Sequence, residues 1–427
     1  MRRLYSMIMM LAAPAAFAIV LLRGFRDHAY WVAPAERFGF GRKIGRPSIW
    51  LHAVSVGEVT AAAALLEALR ARFPQLPCVV STATPTGRER ARRLFGEQAD
   101  IRYLAYDTPC AVSRFLTRVN PRVAIIVETE LWPNLLHECR RREVPVVLAS
   151  ARLTARSVAR YRKAGDLFAD AVAKNVIVAA QTSADAERFI AIGADPARAR
   201  EVGNLKFDLQ LGEEVLRAGR ALRTGYLGER PVWTAGSTHA GEEEALLAAH
   251  AELRKAVPAA LLVLVPRHPQ RFESVAGLLA RRGVRFDRRS SAASVRAEAD
   301  TLLVDTMGEL TAFYAASDVA FVGGSLVPVG GHNLLEPAAL GIPVITGPYT
   351  ANNREIAREL LLCGAAIQVT DAATLAGLLA QFLGDATLRA RAGALGREFV
   401  DAHRGTVARM IALIDPLLDP SRAPLNA

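Results

Sequence analysis

Phe321 to Pro337 reads FVGGSLVPVGGHNLLEP, and this stretch decides the fold. An apolar run over 319–322 stops at a glycine pair, and a second pair at 330–331 leads through His-Asn into a helical pattern. Glycines between a strand and a helix let the backbone approach a ligand and point amide hydrogens at it. A helix start also suits a phosphate. An ordinary tight turn is the alternative, but two glycine pairs followed by His-Asn-x-x-Glu favour a nucleotide site.

The same pattern of a strand followed by a helix repeats in two halves of the chain. Short apolar runs that end in polar motifs predict the following strands: 48–54, 77–81, 101–104, 123–127, 144–149 and 176–180, then 232–235, 261–265, 301–304, 319–322, 343–346 and 366–369. Helical patterns such as 59–72 and 88–94 lie between them. Strands that alternate with helices predict a parallel sheet covered on both faces. We therefore predict an α/β fold with two Rossmann-like domains facing a central cleft.

Length and polarity predict where the domains begin and end. A chain of 427 residues is too long for one ordinary domain. Residues 206–229 are polar and show no strand pattern, which is typical of a linker. The predicted division is a membrane anchor with its basic flank, an N-terminal α/β domain, the linker, a C-terminal α/β domain, and a C-terminal helix and tail: 1–26, 27–205, 206–229, 230–410 and 411–427.

The N-terminus carries a candidate membrane anchor. Ser6 to Leu22 contains no charged residue and is flanked by arginines at positions 2, 3, 23 and 26. Its length is at the lower limit for crossing a bilayer. A cleaved signal peptide is the alternative, because Ala16-Phe17-Ala18 resembles a cleavage site. The apolar run continues past that point and ends in arginines, which favours an anchor helix that spans or dips into the membrane, with a cytoplasmic globular part.

The charge distribution indicates an anionic partner at the membrane. The formal net charge is +11. The first fifty residues hold eight basic side chains against two acidic ones, so six of these charges lie beside the apolar segment. This placement favours a lipid surface over nucleic acid, and the chain shows neither zinc-type Cys/His spacing nor an RNA-binding aromatic motif. Four scattered cysteines predict free thiols in a reducing compartment.

Carboxylates and a lysine are the candidate catalytic residues of the first half. Glu58 follows a glycine where a helix begins, so it is either a general base or simply an acid at a helix N-terminus. Glu128 and Glu130 lie two apart on an extended segment and face one side; a metal pair and solvated acids are the alternatives, although no Asp-x-Asp occurs. Lys206 could neutralise an anion or lie in solvent. No histidine shows the pattern of a hydrolase triad.

Taken together, these motifs resemble one family, the bacterial 3-deoxy-D-manno-octulosonic acid (Kdo) transferases that act on lipid A. The matching segments cover roughly residues 30 to 370 and occur in this order: HAVSVGE, TATPTG, ETELWPN, ARLTARS, GNLKFD, GSTHAGEE, PRHPQRF, DTMGEL, FVGGSL and GGHNLLEP. The resemblance implies the two-Rossmann glycosyltransferase B fold, with the acceptor on the N-terminal domain, CMP-Kdo on the C-terminal domain, and a membrane-associated N-terminus. We predict no cofactor and no metal.

The resemblance also implies roles for individual residues. Glu58 would be the catalytic base, and Glu128 and Lys206 would support the transition state. The implied CMP and donor contacts come from three segments: Pro266 and Arg267; Met307, Gly308 and Glu309; and Asn333, Leu334, Leu335 and Glu336. Two departures from the family pattern stand out. Ser150 replaces the usual Asn, and GPYTANN at 347–353 replaces the usual His-x-Asn-Phe wording, so we assign no site residue there.

The implied reaction is an inverting transfer of Kdo from CMP-Kdo to a primary hydroxyl of the lipid A precursor, lipid IVA, during lipopolysaccharide synthesis. The predicted location is the cytoplasmic face of the bacterial inner membrane, without a nucleic-acid partner. Two alternatives remain open. One is a UDP-sugar transferase or epimerase, because such enzymes use the same architecture. The other is a membrane-tethered protein that binds a nucleotide or a phosphorylated lipid without turnover.

Overall fold

A computed structural model describes residues 1–173, 175–209 and 211–418, and the chain divides into two compact units. The first unit contains Met1–Asp208 together with the described residues from Gly405 onward. The second unit is Leu209–Arg404. Each unit has its own seven-stranded sheet, so the predicted architecture of two α/β domains is confirmed.

The first unit begins with the long apolar helix and continues as alternating strands and helices. Its strands are β1 Ser48–His52, β2 Cys78–Thr82, β3 Asp100–Tyr103, β4 Pro121–Val127, β5 Val146–Ala151, β6 Val176–Ala180 and β7 Ala199–Glu201. Its helices are α1 Arg2–Gly24, α2 Val56–Ala61, α3 Ala63–Arg72, α4 Pro85–Phe95, α5 Pro109–Val119, α6 Pro133–Arg141, α7 Ala155–Lys163, α8 Asp166–Ala173 and α9 Ser183–Ala191.

The second unit repeats the alternation, and the chain then returns to the first unit. The strands are β8 Val232–Thr238, β9 Leu261–Pro266, β10 Phe286–Arg288, β11 Thr301–Leu303, β12 Val319–Val322, β13 Val344–Thr346 and β14 Ala366–Gln368. The helices are α10 Glu213–Leu222, α11 Glu243–Ala256, α12 Phe272–Arg281, α13 Leu310–Ala315, α14 Leu335–Ala339, α15 Arg354–Leu362, α16 Ala372–Gly384 and α17 Ala386–His403, with α18 Thr406–Leu418 in the first unit.

Strand order places a topological switch point in each sheet. The first sheet runs β3-β2-β1-β4-β5-β6-β7 and the second β10-β11-β9-β8-β12-β13-β14, with every paired strand parallel. The order therefore reverses direction between β1 and β4 and between β8 and β12. Ligands of open parallel sheets bind beyond the carboxyl ends of the strands at such points. The loops after these four strands are the places to look for sites.

Apolar strands buried on both faces explain the sheets. In β1 every residue is buried; Trp50 faces one layer of the core, and Ile49 and Leu51 face the other. Continuous Val, Ile, Leu and Ala runs suit strands covered by helices on both sides. The predicted strands missed β7 and β10, which are three residues long and partly polar. Both are edge strands, which need not be buried on both faces.

The observed division of the chain differs from the predicted boundaries. The segment predicted as a linker, 206–229, contains α10, which packs in the second unit. The predicted boundary at residue 410 falls inside α18. That helix buries Met410, Leu413 and Ile414 against the core of the first unit, because its apolar face covers the sheet there. The single predicted helix over 59–72 is two helices, α2 and α3, which meet at Ala62.

Candidate functional site

Glu58 lies in the first turn of α2, directly after β1 and beside the switch point. Its carboxylate accepts the N–H of Val54 at 2.8 Å and the hydroxyl of Ser55 at 2.8 Å, and Ser55 Oγ accepts the N–H of Glu58 at 3.4 Å. This reciprocal pair is a variant of the capping box, in which the carboxylate accepts the N–H of the residue before the N-cap. Burial raises the pKa of the Glu58 carboxyl, whereas the two hydrogen bonds to it act in the opposite direction. Glu58 is therefore positioned by the helix start and is more basic than an ordinary glutamate.

Glu128 and Lys206 form an ion pair close to Glu58. Lys206 Nζ lies 3.2 Å from Glu128 Oε1, and the charges of both residues act on the pKa of Glu58 in opposite directions. Glu128 follows β4 in a left-handed conformation with φ 60°, which is costly for a residue with a side chain. Ser150, the departure from the family pattern, accepts the N–H of Leu205 at 2.9 Å and so holds the turn that carries Lys206. Sequence-distant loops thus converge on one carboxylate.

Glu130 is a third carboxylate of this group. Trp132 Nε1 donates a hydrogen bond of 2.7 Å to Glu130 Oε2. Burial raises the pKa of Glu130 to about 7; the Trp132 hydrogen bond opposes this, and the negative charges of Glu58 and Glu128 add to it. Glu130 therefore binds its proton more firmly than an exposed glutamate does. A raised carboxyl pKa is typical of acid–base sites.

A buried carboxylate organises the glycine-rich loop of the second unit. Glu242 is fully buried, and its two oxygens accept four backbone N–H groups: His239 at 2.9 Å, Gly324 at 2.7 Å, Ser325 at 2.9 Å and Leu326 at 2.8 Å. The loop after β8 is thereby joined to the loop after β12 across the switch point. Sequence reasoning missed Glu242, because a glutamate at the start of a helix is usually a solvated acid.

The glycines of this loop serve close packing. A Cβ at Gly323 would lie 2.7 Å from the carbonyl oxygen of Ser237, and Gly324 has φ 68° with His332 packed against it. The N–H groups of the second glycine pair donate to the carbonyl of Gly324, at 3.1 and 2.7 Å. This differs from the prediction that the glycine amides point at a ligand, since in this structure they bond within the protein. A phosphate bound here would therefore need donors other than these glycine amides.

Three histidines and two arginines lie beside the loop. The rings of His239 and His332 stack at an interplanar angle of 8°, with their Nε2 atoms 2.8 Å apart, so one ring donates to the other. His268 meets His239 edge-on with centroids 5.3 Å apart. Burial lowers the pKa of His332 to about 4, so this ring is neutral at pH 7, and burial lowers the pKa of His239 as well. The fixed positive charge near these rings comes from Arg267 and Arg271.

The predicted donor residues all lie at the carboxyl ends of strands in the second sheet. Pro266 ends β9, and the N–H of Arg267 donates to Thr238 O at 3.0 Å, which joins this loop to the end of β8. Asn333 donates to Glu336 at 3.1 Å and accepts the N–H of Leu335 at 3.1 Å. Leu334 and Leu335 have buried side chains, so they can contact a ligand only through the backbone.

The third predicted segment follows β11, the neighbour of β9. Met307 is exposed, Gly308 has φ 88°, and Glu309 pairs with Arg289 at 2.9 Å and accepts the hydroxyl of Thr306. The strands β9 and β11 are adjacent and parallel, so their carboxyl ends lie at the same end of the sheet. This segment and Arg267, which follow those strands, therefore start from the same end of the sheet.

The segment GPYTANN braces the glycine-rich loop. Asn352 donates through Nδ2 to the carbonyl oxygens of Val329 and Gly331, at 3.2 and 3.3 Å. Asn353 donates to the carbonyl oxygen of His332 at 3.0 Å. These carbonyls belong to the turn that leads into α14. The unusual residues of this segment therefore supply amide side chains that hold the backbone of the loop in place.

Comparisons with known proteins agree with this architecture. Residues 33–209 match a family described as 3-deoxy-D-manno-octulosonic-acid transferase (kdotransferase), and residues 244–399 match glycosyl transferases group 1. The chain is 39% identical over 422 residues to the 3-deoxy-D-manno-octulosonic acid transferase of Haemophilus influenzae, covering 98% of this chain and 99% of that protein. This chain belongs to the Kdo transferase family. It is a glycosyltransferase with the role of that family in lipopolysaccharide synthesis.

Further relatives agree with this assignment. The Kdo transferase of Bordetella pertussis is 38% identical over 432 residues, which covers 98% of this chain and 99% of that protein. Among solved structures, UDP-GlcNAc 2-epimerase from Neisseria meningitidis bound to UDP-GlcNAc aligns with a TM-score of 0.57 at 12% identity, covering 86% of this chain and 100% of that one. At that identity the likeness concerns the fold alone, which is of the glycosyltransferase B type.

The Kdo transferase site predicted from sequence falls into two groups in the structure. Glu58, Glu128 and Lys206 lie together in the first unit. The predicted donor residues lie at the carboxyl ends of the strands in the second unit. Their roles stay predictions. In the described ranges 1–173, 175–209 and 211–418, no group of three or more His, Cys, Asp or Glu side chains is placed to hold a metal ion. Metal independence likewise stays a prediction.

The raised pKa of Glu130 predicts a pH-dependent stability. A carboxyl whose folded-state pKa lies near 7 instead of 4.5 costs stability as pH rises through that interval, because the unfolded chain releases its proton more readily. Glu130→Gln keeps an acceptor for Trp132 and removes the ionisation. We expect its free energy of unfolding, relative to the parent, to be higher at pH 8 than at pH 5, as measured by denaturant titration. Glu67→Gln, on an exposed position of α3, is the control. An equal difference at the two pH values would contradict the assignment.

Proposed function

We propose that this Kdo transferase moves Kdo from CMP-Kdo to a primary hydroxyl of the lipid A precursor, with inversion at the anomeric carbon. The observation that carries the proposal is the group formed by Glu58, Glu128 and Lys206 at the β1–β4 switch point. A half-buried carboxylate of raised pKa beside a lysine suits proton removal from a hydroxyl. Membership of the Kdo transferase family supports the sugar that is transferred.

In the proposed step Glu58 removes the hydroxyl proton while the acceptor oxygen forms a bond to the anomeric carbon of Kdo. The bond from that carbon to the phosphate oxygen breaks, and CMP leaves with the electron pair. Burial favours the neutral form of Glu58. Once the carboxylate has taken the proton from the hydroxyl, it therefore holds that proton more firmly than an exposed glutamate would. Lys206, held by Glu128, supplies positive charge near the developing anionic centre.

The second unit is proposed to hold the CMP part of the donor. Arg267 supplies the fixed positive charge for the phosphate. Asn333 to Glu336 provide amide and carboxylate groups suited to sugar hydroxyls, and Met307 to Glu309 provide an exposed thioether, a glycine turn and a second carboxylate. The neutral ring of His332 near Arg267 can donate a hydrogen bond without adding charge. No step in this scheme requires a metal or a cofactor.

The acceptor explains the membrane association that we propose. A lipid A precursor carries phosphates and acyl chains, so it resides in a bilayer. Helix α1 is long and apolar enough to cross a membrane, with a mean hydropathy of 2.1 in its most apolar window, and only 11% of that window is buried in the protein. Arginines at both of its ends suit anionic lipid headgroups. We place the enzyme at the cytoplasmic face of the inner membrane.

Mass spectrometry of the acceptor tests this function. A tetra-acylated lipid A precursor is incubated with the full chain and freshly prepared CMP-Kdo, and the product mass gives the number of Kdo residues added. An unchanged acceptor would reject the proposal. Parallel binding measurements with CMP and UDP separate the alternatives, because a UDP-sugar enzyme would bind UDP and ignore CMP. A protein that binds CMP and the lipid without any mass increase would be a binding protein.

A further inference from the structure

Helix α1 lies lengthwise against the first unit. The side chains that are buried or half-buried recur every three or four residues along the whole helix, so they form one face. They are Tyr5, Ser6, Met9, Ala13, Ala16, Phe17, Val20 and Gly24. A helix that left the protein to cross a bilayer would show such contacts at one end only. This pattern instead indicates attachment from the first turn to the last.

Side-chain hydrogen bonds hold the beginning of α1. Ser6 Oγ donates to Asn134 Oδ1 at 2.7 Å in a buried contact, and Tyr5 Oη donates to Asp107 Oδ2 at 2.9 Å. The carboxylate of Asp107 also accepts the N–H groups of Asn134 and Leu135, at 3.0 and 2.8 Å. Asp107 and Asn134 are 3% and 2% exposed. The start of the helix is thus part of a buried polar network of the globular body.

Aromatic contacts hold the rest of α1. Phe17, near its middle, meets Phe38 edge-on with ring centroids 4.9 Å apart. The turn that carries Phe38 is fixed to the body, because Glu36 accepts the N–H of Tyr103 at 2.9 Å and pairs with Arg88. Near the helix end, Trp31 Nε1 donates to the carbonyl oxygen of Leu21 at 3.0 Å. The first turn and the middle of the helix are therefore attached to the body, and the turn that follows the helix packs against its last residues.

The opposite face of α1 is apolar and exposed. Its large side chains are between half and three-quarters exposed: Leu4, Met7, Ile8, Leu11, Ile19 and Leu22. Arg2 and Arg3 lie at one end of this stripe, and Arg23 and Arg26 lie at the other. An apolar stripe between two basic ends matches the interface of an anionic bilayer, where hydrocarbon meets negative headgroups.

We propose that α1 is an in-plane anchor that enters a single leaflet, with both of its ends on the same side of the membrane as the globular body. With 23 residues the helix is about 34 Å long, enough to cross a bilayer by length alone. Crossing would draw Asp107 and Asn134 into the hydrocarbon, because both are bonded to its first turn, and polar groups there are costly. Lying flat keeps every one of these contacts.

The same contacts relate the lipid surface to the candidate catalytic group. Asn134 lies in the first turn of α6, and Glu128 and Glu130 lie in the short segment between β4 and that helix. An in-plane α1 therefore fixes this segment at a set distance from the leaflet. The topology itself does not depend on the proposed reaction, so it can be tested apart from transfer activity.

Cysteine labelling tests the topology. Single cysteines are placed by Arg3→Cys and Arg26→Cys in the full chain, with Cys110 and Cys363 replaced; Cys78 and Cys139 are buried. Glu67→Cys, on an exposed position of α3, reports the side of the body. A membrane-impermeant maleimide is added to inverted and to right-side-out inner-membrane vesicles. We expect all three sites to react in the same vesicle orientation. Reaction of position 3 in the opposite orientation from positions 26 and 67 would overturn the proposal.

Depth measurements supply an independent readout. Spin labels at positions 4, 11 and 22, in vesicles of phosphatidylethanolamine and phosphatidylglycerol, are compared for their collision rates with oxygen and with a water-soluble nickel chelate. An in-plane helix places the three labels at similar depths, whereas a spanning helix places position 11 deepest. A depth maximum at position 11 would therefore reject the proposal. So would labels that respond to protein concentration but not to lipid, since a second copy of the chain would then cover the stripe.

Discussion

Replacing Glu58 with glutamine is expected to lower kcat for Kdo transfer by about 10²- to 10⁴-fold, the usual contribution of a general base. Glutamine fits the same capping box, because its oxygen can accept the N–H of Val54 and its amide can donate to Ser55. The fold should therefore survive. The affinity for CMP should stay at the parent value, since the proposed nucleotide contacts belong to the second unit. Product mass per unit time and CMP titration measure the two quantities.

The pH profile sharpens this test. Burial raises the pKa of Glu58 above its ordinary value of 4.5, so the acid limb of kcat/KM should lie above that pH in the parent enzyme. Glu130→Gln should leave a limb that belongs to Glu58, whereas Glu58→Gln should remove it from the residual activity. Glu67→Gln is the matched surface control and should behave as the parent does. A Glu58→Gln enzyme within tenfold of parental kcat would refute the role of base.

The fold was predictable because burial leaves a direct trace in the sequence. Strands such as β4 and β12 are covered on both faces, so they appear as unbroken apolar runs that end in polar motifs. The edge strands β7 and β10 were missed because each is only three residues long and partly polar. The other two edge strands, β3 and β14, were predicted. The return of α18 to the first unit was missed as well. Its apolar face predicts burial, but chain order alone cannot say which sheet it covers.

The candidate site was predictable where it consists of polar side chains that follow the ends of strands. Glu58, Glu128 and Lys206 are separated by up to 148 positions, yet the fold brings them together. Glu58 follows β1 and Glu128 follows β4 at the switch point, whereas Lys206 follows the edge strand β7 on the turn that Ser150 holds. The sequence could not indicate which polar groups form hydrogen bonds within the protein. The glycine amides looked available to a ligand, and Glu242 looked like a surface acid. Their mutual hydrogen bonds become visible only in three dimensions.

Those hydrogen bonds make Glu242 the central organising residue of the glycine-rich loop. Each carboxylate oxygen accepts two backbone N–H groups, and the residue is fully buried. A glutamine has one oxygen and one NH₂ group, so it can satisfy one pair of donors and must place its own N–H groups against the other pair. A buried N–H left without a partner costs about 1–3 kcal/mol. Two of them therefore cost about 2–6 kcal/mol, unless the loop moves to find other acceptors.

Glu242→Gln is accordingly expected to reduce the stability of the protein by about 2–6 kcal/mol and to weaken CMP binding by tenfold or more, because a displaced loop no longer aligns Asn333 and Glu336. Denaturant titration and calorimetric titration with CMP measure these effects. Glu244→Gln lies two residues further on in α11 at an exposed position and should change neither quantity. Loss of stability with full CMP affinity would mean that the loop does not hold the nucleotide. Parental stability would mean that the four N–H groups find other acceptors, which would contradict the organising role of Glu242.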